Sequence, residues 1–159
     1  MKNLAPKAVW EHFYSLTQIP RPSGKKEEVS AFLAAYGKSL GLETIVDTIG
    51  NVIIRKPASP GYENHPGVIL QGHMDMVCEK DEDCPINMET DGLDVTHDGA
   101  YVFAKGTTLG GDDGIAVAYA LALLDDTTIP HPPLEVVMTV DEEIGMLGAA
   151  AIDLSELKG

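Results

Sequence analysis

The chain has 159 residues, of which 44% are hydrophobic and 23% charged, a composition typical of a globular domain rather than of a disordered segment. Because 25 acidic residues outnumber 11 lysines and arginines, the formal net charge is −14, which argues against binding to nucleic acid or to an anionic membrane surface. Strong negative charge is compatible with bound cations, including metal ions.

Signals for export and for membrane insertion are absent from the sequence. The first residues contain no apolar core of a signal peptide, and no window approaches the ~18 apolar residues of a membrane-spanning helix. Cys78 and Cys84 lie in an acidic run, at a spacing that fits neither a zinc ribbon nor a thioredoxin-type motif. We therefore expect free thiols and a cytoplasmic location.

Two helices are predicted near the N-terminus. Residues 6–18 carry apolar side chains at helical spacing, and Pro6 suits the first helical turn. A Pro- and Gly-containing break at residues 19–24 precedes a second helix, which runs from about Lys25 to Leu40 and is expected to end at Gly41.

Strands are predicted in the middle of the chain. The expected short strands, the last two of them forming a hairpin, cover residues 44–46, 51–55, 68–71, 93–96 and 101–104. Residues 134–140 form a largely apolar run that does not alternate with polar residues, which is typical of a strand in a parallel sheet that is covered on both faces.

The Gly-rich stretch at residues 106–114 is expected to turn into a buried helix at residues 115–124, and a last helix is predicted at residues 148–153. Strands that alternate with helices indicate an α/β layered domain. We expect its sheet to be mostly parallel and its functional groups to lie at strand ends.

The first candidate functional cluster is His73 with Asp75. On an extended segment, residues two apart point to the same side, and an imidazole beside a carboxylate is the usual pairing of a metal ligand with the group that orients it. The alternative is a histidine at a strand end beside a solvated aspartate.

The second cluster is Asp112 with Asp113, inside the Gly-rich turn. Glycines allow a sharp turn that brings a carboxylate into a crowded site, where its oxygen is a hard ligand for a divalent metal. The alternative is that one of these aspartates caps the following helix. The stretch lacks Gly-Lys-Ser/Thr and is therefore not a phosphate loop.

The third cluster is Asp141-Glu142-Glu143, directly after the predicted strand at residues 134–140. Adjacent glutamates there face different directions, so one can bind a metal while the other acts as a general base. The alternative is a solvated acidic loop.

Taken together, His73, Asp112 and Glu143 form a set of one imidazole and two carboxylates, each at a strand end or a turn. Such mixed ligation suits zinc, with manganese or cobalt as substitutes. If strands 68–71 and 134–140 are parallel, the three groups should converge at one edge of the sheet.

At these residues the sequence resembles the di-zinc exopeptidases of the carnosinase and carboxypeptidase G2 family, and within it the branch of bacterial aminoacylhistidine dipeptidases (peptidase D, or cytosol nonspecific dipeptidase). The resemblance is carried by IPRPS at 19–23, GN at 50–51, GHMDMV at 72–77, KGTTLGGDDGI at 105–115, and PLEV and TVDEEIGM within 133–146. This ordered set spans almost the whole chain.

The resemblance implies two zinc ions, a cis peptide bond between Asp112 and Asp113, and a role for each site residue. His73 would bind one zinc, Asp112 would bridge both ions and Glu143 would bind the second. Asp75 would orient His73, and Glu142 would be the general base. Asp113 stands where many relatives have Asn, a difference that should leave the bridging residue undisturbed.

The family pattern also implies an aspartate ligand, a histidine ligand and a lid domain beyond Gly159. We therefore expect residues 1–159 to be the N-terminal portion of a catalytic domain that is incomplete at its C-terminus and inactive alone. The intact enzyme would be a zinc-dependent dipeptidase acting on Xaa-His and related dipeptides, and family members are often homodimers through the lid domain. The alternatives are a deacylase or tripeptidase of the same family, and a non-catalytic fragment that binds metal or has a structural role.

Overall fold

A computed structural model describes residues 4–159. Within this range, helices pack against a four-stranded sheet, and two further strands form a separate hairpin. The elements in chain order are α1 (Lys7–Thr17), α2 (Glu27–Ser39), β1 (Glu43–Val46), β2 (Val52–Lys56), β3 (Val68–His73), β4 (Val95–His97), β5 (Val102–Ala104), α3 (Gly111–Asp125), β6 (Leu134–Thr139) and α4 (Leu147–Ala151). A short 3-10 turn, Leu154–Glu156, follows α4.

Helices α1 and α2 confirm the two predicted N-terminal helices. Pro6 is extended and immediately precedes α1, so that its missing N–H leaves no helical hydrogen bond unmade. Gly41 follows α2 with φ of +70°, the left-handed conformation that commonly ends a helix. Sequence-local signals therefore set the ends of these helices.

The main sheet has the strand order β1-β2-β6-β3. Only the pair β3 and β6 is parallel, because β1 pairs with β2, and β2 with β6, in antiparallel fashion. The layered α/β fold is thus confirmed, but the expectation of a mostly parallel sheet is wrong. All six side chains of β6 are buried, so burial on both faces accounts for its largely apolar sequence, although only one of its two neighbours, β3, is parallel to it.

The hydrophobic core lies between this sheet and helices α2 and α3. Its fully buried members come from α1, α2, β2, α3 and β6, and they include Leu16, Val29, Leu33, Val52, Ile54, Val117, Leu121, Val136 and Met138. β6 and α3 both contribute to this core, and β3 pairs with β6; the site described below is built on these three elements.

The remaining predicted elements are also present, with shifted ends. Strands β4 and β5 form the predicted hairpin, and the last helix ends at Ala151, two residues before its predicted end. Cys78 and Cys84 are both free thiols, as expected. Of the helices in residues 4–159, none combines the length and the apolar character needed to cross a membrane.

Candidate metal centre

The candidate site lies where β3 and β6 end side by side. His73 is the last residue of β3 and pairs in register with Thr139 at the end of β6, so the loop after β6 begins next to the imidazole. Ligand atoms of His73, Glu142 and Glu143 all lie within 4.8 Å of one another. The predicted convergence of the first and third clusters is therefore present.

Asp112 reaches the same place from the start of α3. Its Oδ1 lies 3.1 Å from His73 Nε2, and its side chain is 88% exposed, which leaves the carboxylate open to a ligand. The peptide bond between Asp112 and Asp113 is cis, as the resemblance predicts. Asp112 and Asp113 have non-helical backbone angles at a kink near the start of α3, and the Asp112 carboxylate contacts His73 rather than a backbone N–H of the helix.

The orientation of the His73 ring follows from its two hydrogen-bonding sides. Nδ1 lies 3.1 Å from the backbone oxygen of Asp75, an acceptor that favours the proton on Nδ1. Nε2 then faces the carboxylates, at 3.1 Å from Asp112 Oδ1 and 3.7 Å from Glu142 Oε2. This tautomer leaves the Nε2 lone pair available to a metal.

Asp75 is buried and organises the glutamate loop. Its carboxylate accepts hydrogen bonds from the Ser23 hydroxyl at 2.6 Å and from the backbone N–H of Glu142 at 3.0 Å. The same carboxylate lies 3.6 Å from His73 Nδ1, so the direct hydrogen bond to the ring comes from the Asp75 backbone instead. Asp75 therefore connects the histidine segment with the segment that carries both glutamates.

Asp141 is a second buried carboxylate of this region, for which the sequence indicated no individual role. It accepts hydrogen bonds from the Gly24 N–H at 2.7 Å and from Lys26 Nζ at 2.8 Å. Burial alone would raise the pKa of Asp141, but these hydrogen bonds and the Lys26 charge hold it below its usual value. Asp141 thereby attaches the start of the glutamate loop to the segment before α2.

Asn51 is a further site-supporting residue that sequence reasoning left without a role. Its side-chain Oδ1 accepts the Val140 N–H at 3.0 Å, and its Nδ2 donates to the Gly148 carbonyl at 2.9 Å. The amide is fully buried between the end of β6 and the start of α4. The Gly50-Asn51 pair is visible in the sequence, but the sequence does not show that Asn51 binds Val140 and Gly148.

The electrostatics of the site fit a bound divalent cation. Among residues 4–159, His73 is the one basic side chain within ion-pair distance of Asp112 and Glu142. Burial raises the pKa of nearby Asp113; contacts with His73 oppose this shift, and the charges of Asp112 and Glu142 add to it. One imidazole nitrogen and several carboxylate oxygens, gathered with so little compensating charge, are a donor set that suits zinc and related metals.

The chain is similar in sequence to known peptidases. The sequence profile described as "Peptidase family M20/M25/M40" matches residues 69–156, the part of the chain that contains His73, Asp112 and both glutamates. The cytosol non-specific dipeptidase of Escherichia coli (strain K12) is 42% identical over 149 residues, which cover 94% of this chain and 31% of that protein. The chain thus spans about a third of the length of this curated relative.

Solved structures of peptidases superpose on this fold. The crystal structure of aminoacylhistidine dipeptidase from Vibrio alginolyticus superposes with a TM-score of 0.96 at 42% identity, covering 99% of this chain and 32% of that one. A tripeptidase from Staphylococcus aureus superposes with a TM-score of 0.77 at 24% identity, covering 94% and 40%, and at that identity it supports the fold alone.

Proposed function

This chain belongs to peptidase family M20/M25/M40, and from that premise we propose that it forms part of a zinc-dependent dipeptidase that hydrolyses Xaa-His and related dipeptides. The observation that carries the proposal is the convergence of His73, Asp112, Glu142 and Glu143 at one sheet edge. The 42% identity to a cytosol non-specific dipeptidase supports this substrate class and a cytoplasmic location.

We assign His73, Asp112 and Glu143 as the residues that hold the metal. Asp112, whose side chain is 88% exposed, would be shared between two ions, as the family resemblance implies. A divalent cation held there supplies a Lewis acid that polarises the scissile carbonyl and makes a water more acidic at neutral pH. Manganese and cobalt are the expected substitutes for zinc.

Glu142 is proposed as the general base. Its carboxylate is about one-third exposed, so it is accessible to substrate, and its backbone N–H is held by buried Asp75. Oε2 would take the proton of the attacking water and then deliver it to the leaving amine nitrogen. Asp75 would act through the positions of His73 and Glu142 rather than on the substrate.

We further propose that residues 1–159 supply the N-terminal portion of the catalytic domain. The remaining ligands, the lid domain and a homodimer contact would then belong to other segments of the intact enzyme. The short span of this chain relative to its curated relative supports this division, as do the three assigned ligands, too few for two zinc ions. Calorimetric titration should therefore give weaker zinc binding for the 159-residue chain than for the full-length gene product.

The function is tested by supplying the full-length gene product with alanyl-histidine, a tripeptide and an N-acylated amino acid. We expect hydrolysis of the dipeptide. The Glu142→Gln variant should lose turnover but retain zinc binding. The control variant Glu79→Gln, which changes an exposed glutamate, should turn over normally. Preferential hydrolysis of the tripeptide or the N-acylated amino acid would instead identify a tripeptidase or a deacylase. Normal turnover in Glu142→Gln would refute the assigned base.

A further inference from the structure

The segment between α1 and α2 contacts each of the three chain segments that carry residues of the candidate metal centre. Ser23 binds the Asp75 carboxylate, and Gly24 and Lys26 bind Asp141. Arg21 makes the remaining contacts. It is 1% exposed and is the largest fully buried side chain of the described residues. A buried guanidinium is unusual enough to call for an explanation.

Arg21 joins the two segments that carry His73 and Asp112. Its Nη1 donates to the backbone carbonyls of Met74, at 3.0 Å, and Asp75, at 3.2 Å. Its Nη2 donates to the carbonyl of Gly110, at 2.5 Å. A single rigid, planar group therefore connects the residues just after His73 with a residue two positions before Asp112.

The glycines of the Asp112 segment leave room for this guanidinium. A Cβ at Gly110 would overlap Arg21 Nη2, and a Cβ at Gly114 would lie 2.7 Å from the same atom. Asp112 and Asp113 lie between these two glycines in sequence. The backbone of this turn thus packs directly against the arginine, so a displaced guanidinium would displace the turn.

The arginine is charged in this setting. Burial lowers the pKa of Arg21 to about 10, which keeps the side chain protonated at neutral pH, and Asp75 and Asp113 contribute favourable charge. Burying a charge is costly even when it is hydrogen-bonded, and apolar replacements of buried ion pairs are often equally stable. Fold stability alone is therefore a weak reason for a guanidinium at this position.

We propose that Arg21 is a positioning residue of the metal centre, whose guanidinium fixes the spacing between the His73 segment and the Asp112 segment. The proposal rests on the metal-dependent function proposed above. Lysine offers one ammonium group in place of a planar fork and reaches the three carbonyls poorly. Replacing a residue that orients a metal ligand typically lowers metal affinity or activity about 10–100-fold.

The first test is calorimetric titration of zinc alone into the full-length gene product and its Arg21→Lys variant. We expect the zinc affinity to fall about 10–100-fold and the absorption spectrum of the cobalt-substituted protein to change. Because Arg21 is buried and therefore inaccessible to substrate, kcat should fall while KM changes little. Arg55→Lys is the matched control, since Arg55 is also largely buried and ion-paired but lies at the other end of β6, against Glu135.

A second pair of variants displaces the arginine without removing it. Gly114→Ala introduces a methyl group against Arg21 Nη2 and should also weaken zinc binding. Gly37→Ala is its control, because a Cβ there is equally crowded, at 2.5 Å from Thr44 Oγ1, but lies in α2. Gly37→Ala should lower the free energy of unfolding and leave the zinc affinity unchanged.

The outcomes separate this proposal from the proposed function. A protein that binds zinc but hydrolyses no dipeptide would refute the function alone, and the zinc affinities of the variants would still decide the role of Arg21. Wild-type affinity in folded Arg21→Lys or Gly114→Ala would overturn the positioning role, as would an equal loss in the control variants. If Arg21→Lys does not fold, the Gly114→Ala and Gly37→Ala pair decides.

Discussion

The two ends of strand β6 hold acidic side chains in opposite electrostatic settings. At its amino end Glu135 is buried, lies 2.7 Å from Arg55 Nε and accepts the backbone N–H of Lys158 at 2.8 Å. Beyond its carboxyl end, Glu142 and Asp112 find one basic side chain among residues 4–159, His73. Strand β6 thus has a buried, ion-paired carboxylate near its amino end and, beyond its carboxyl end, a cluster of carboxylates with one basic neighbour.

The difference indicates which acidic residues are structural and which are functional. A buried charge that is paired and hydrogen-bonded by the chain itself needs nothing further. Carboxylates that gather beside an imidazole without such partners repel one another unless a cation is bound. We therefore expect substitutions at the Glu135 end to change stability, and substitutions of the assigned ligands His73, Asp112 and Glu143 or of the residues that position them to change metal binding.

The largest effect is expected from Arg55→Met. This change leaves Glu135 buried without its ion-pair partner, which should lower the free energy of unfolding by about 3 kcal/mol. Urea denaturation measures the loss. Lys7→Met removes one member of an exposed pair and should change stability little. An unchanged zinc affinity in folded Arg55→Met would sharpen the contrast between the two ends, and a large loss of affinity would break it.

The next largest effect is expected from Asp75→Asn. The amide is similar in size but loses one acceptor for the Ser23 hydroxyl and the Glu142 N–H, so the glutamate loop should shift. Zinc affinity should fall about 10–100-fold by calorimetry. Asp94→Asn, at an exposed ion pair with Lys105, is the control and should bind zinc as the wild type does. Equal affinities in both variants would contradict the role given to Asp75.

A smaller effect is expected from the pH dependence of stability at Glu135. Burial alone would raise the pKa of Glu135, but the Lys158 N–H and Arg55 hold it below its usual value of 4.5. The stabilisation is therefore complete above about pH 4.5 and is lost as pH falls through the lower folded-state pKa. Unfolding free energies measured across this range should vary less in Glu135→Gln than in the wild type. An identical pH dependence would show that Glu135 is not the stabilised carboxylate.

The smallest effect, of opposite sign, is expected from Glu142→Gln in the metal-free protein. Removing one carboxylate from the cluster should raise the free energy of unfolding by about 0.5 kcal/mol, the scale of charge interactions at accessible sites. The measurement is urea denaturation in the presence of a metal chelator. A clear loss of stability would mean that Glu142, like Glu135, is held by partners within the protein.

The sequence predicted the parts of this molecule that depend on neighbouring residues. Pro6 and Gly41 mark helix ends, and the positions of His73 and Glu143 after apolar strands placed both at one sheet edge. The expectation of a mostly parallel sheet was wrong, because the largely apolar sequence of β6 reports burial on both faces and not the direction of each neighbour: β3 is parallel to it and β2 is antiparallel. The supporting contacts were missed for a related reason: Arg21 and Met74 lie 53 positions apart in sequence, and Gly24 and Asp141 lie 117 apart.

The central claim, that the carboxylates beyond β6 gather around a metal, is tested most directly by locating the metal. Crystals of the full-length gene product grown with zinc would be measured at the zinc absorption edge, where anomalous scattering shows each ion. We predict one zinc at about 2.0–2.2 Å from His73 Nε2 and an Asp112 oxygen, and a second at about the same distance from oxygens of Asp112 and Glu143. Zinc bound only elsewhere, or no zinc in a protein whose His73, Asp112 and Glu143 remain converged, would contradict this account.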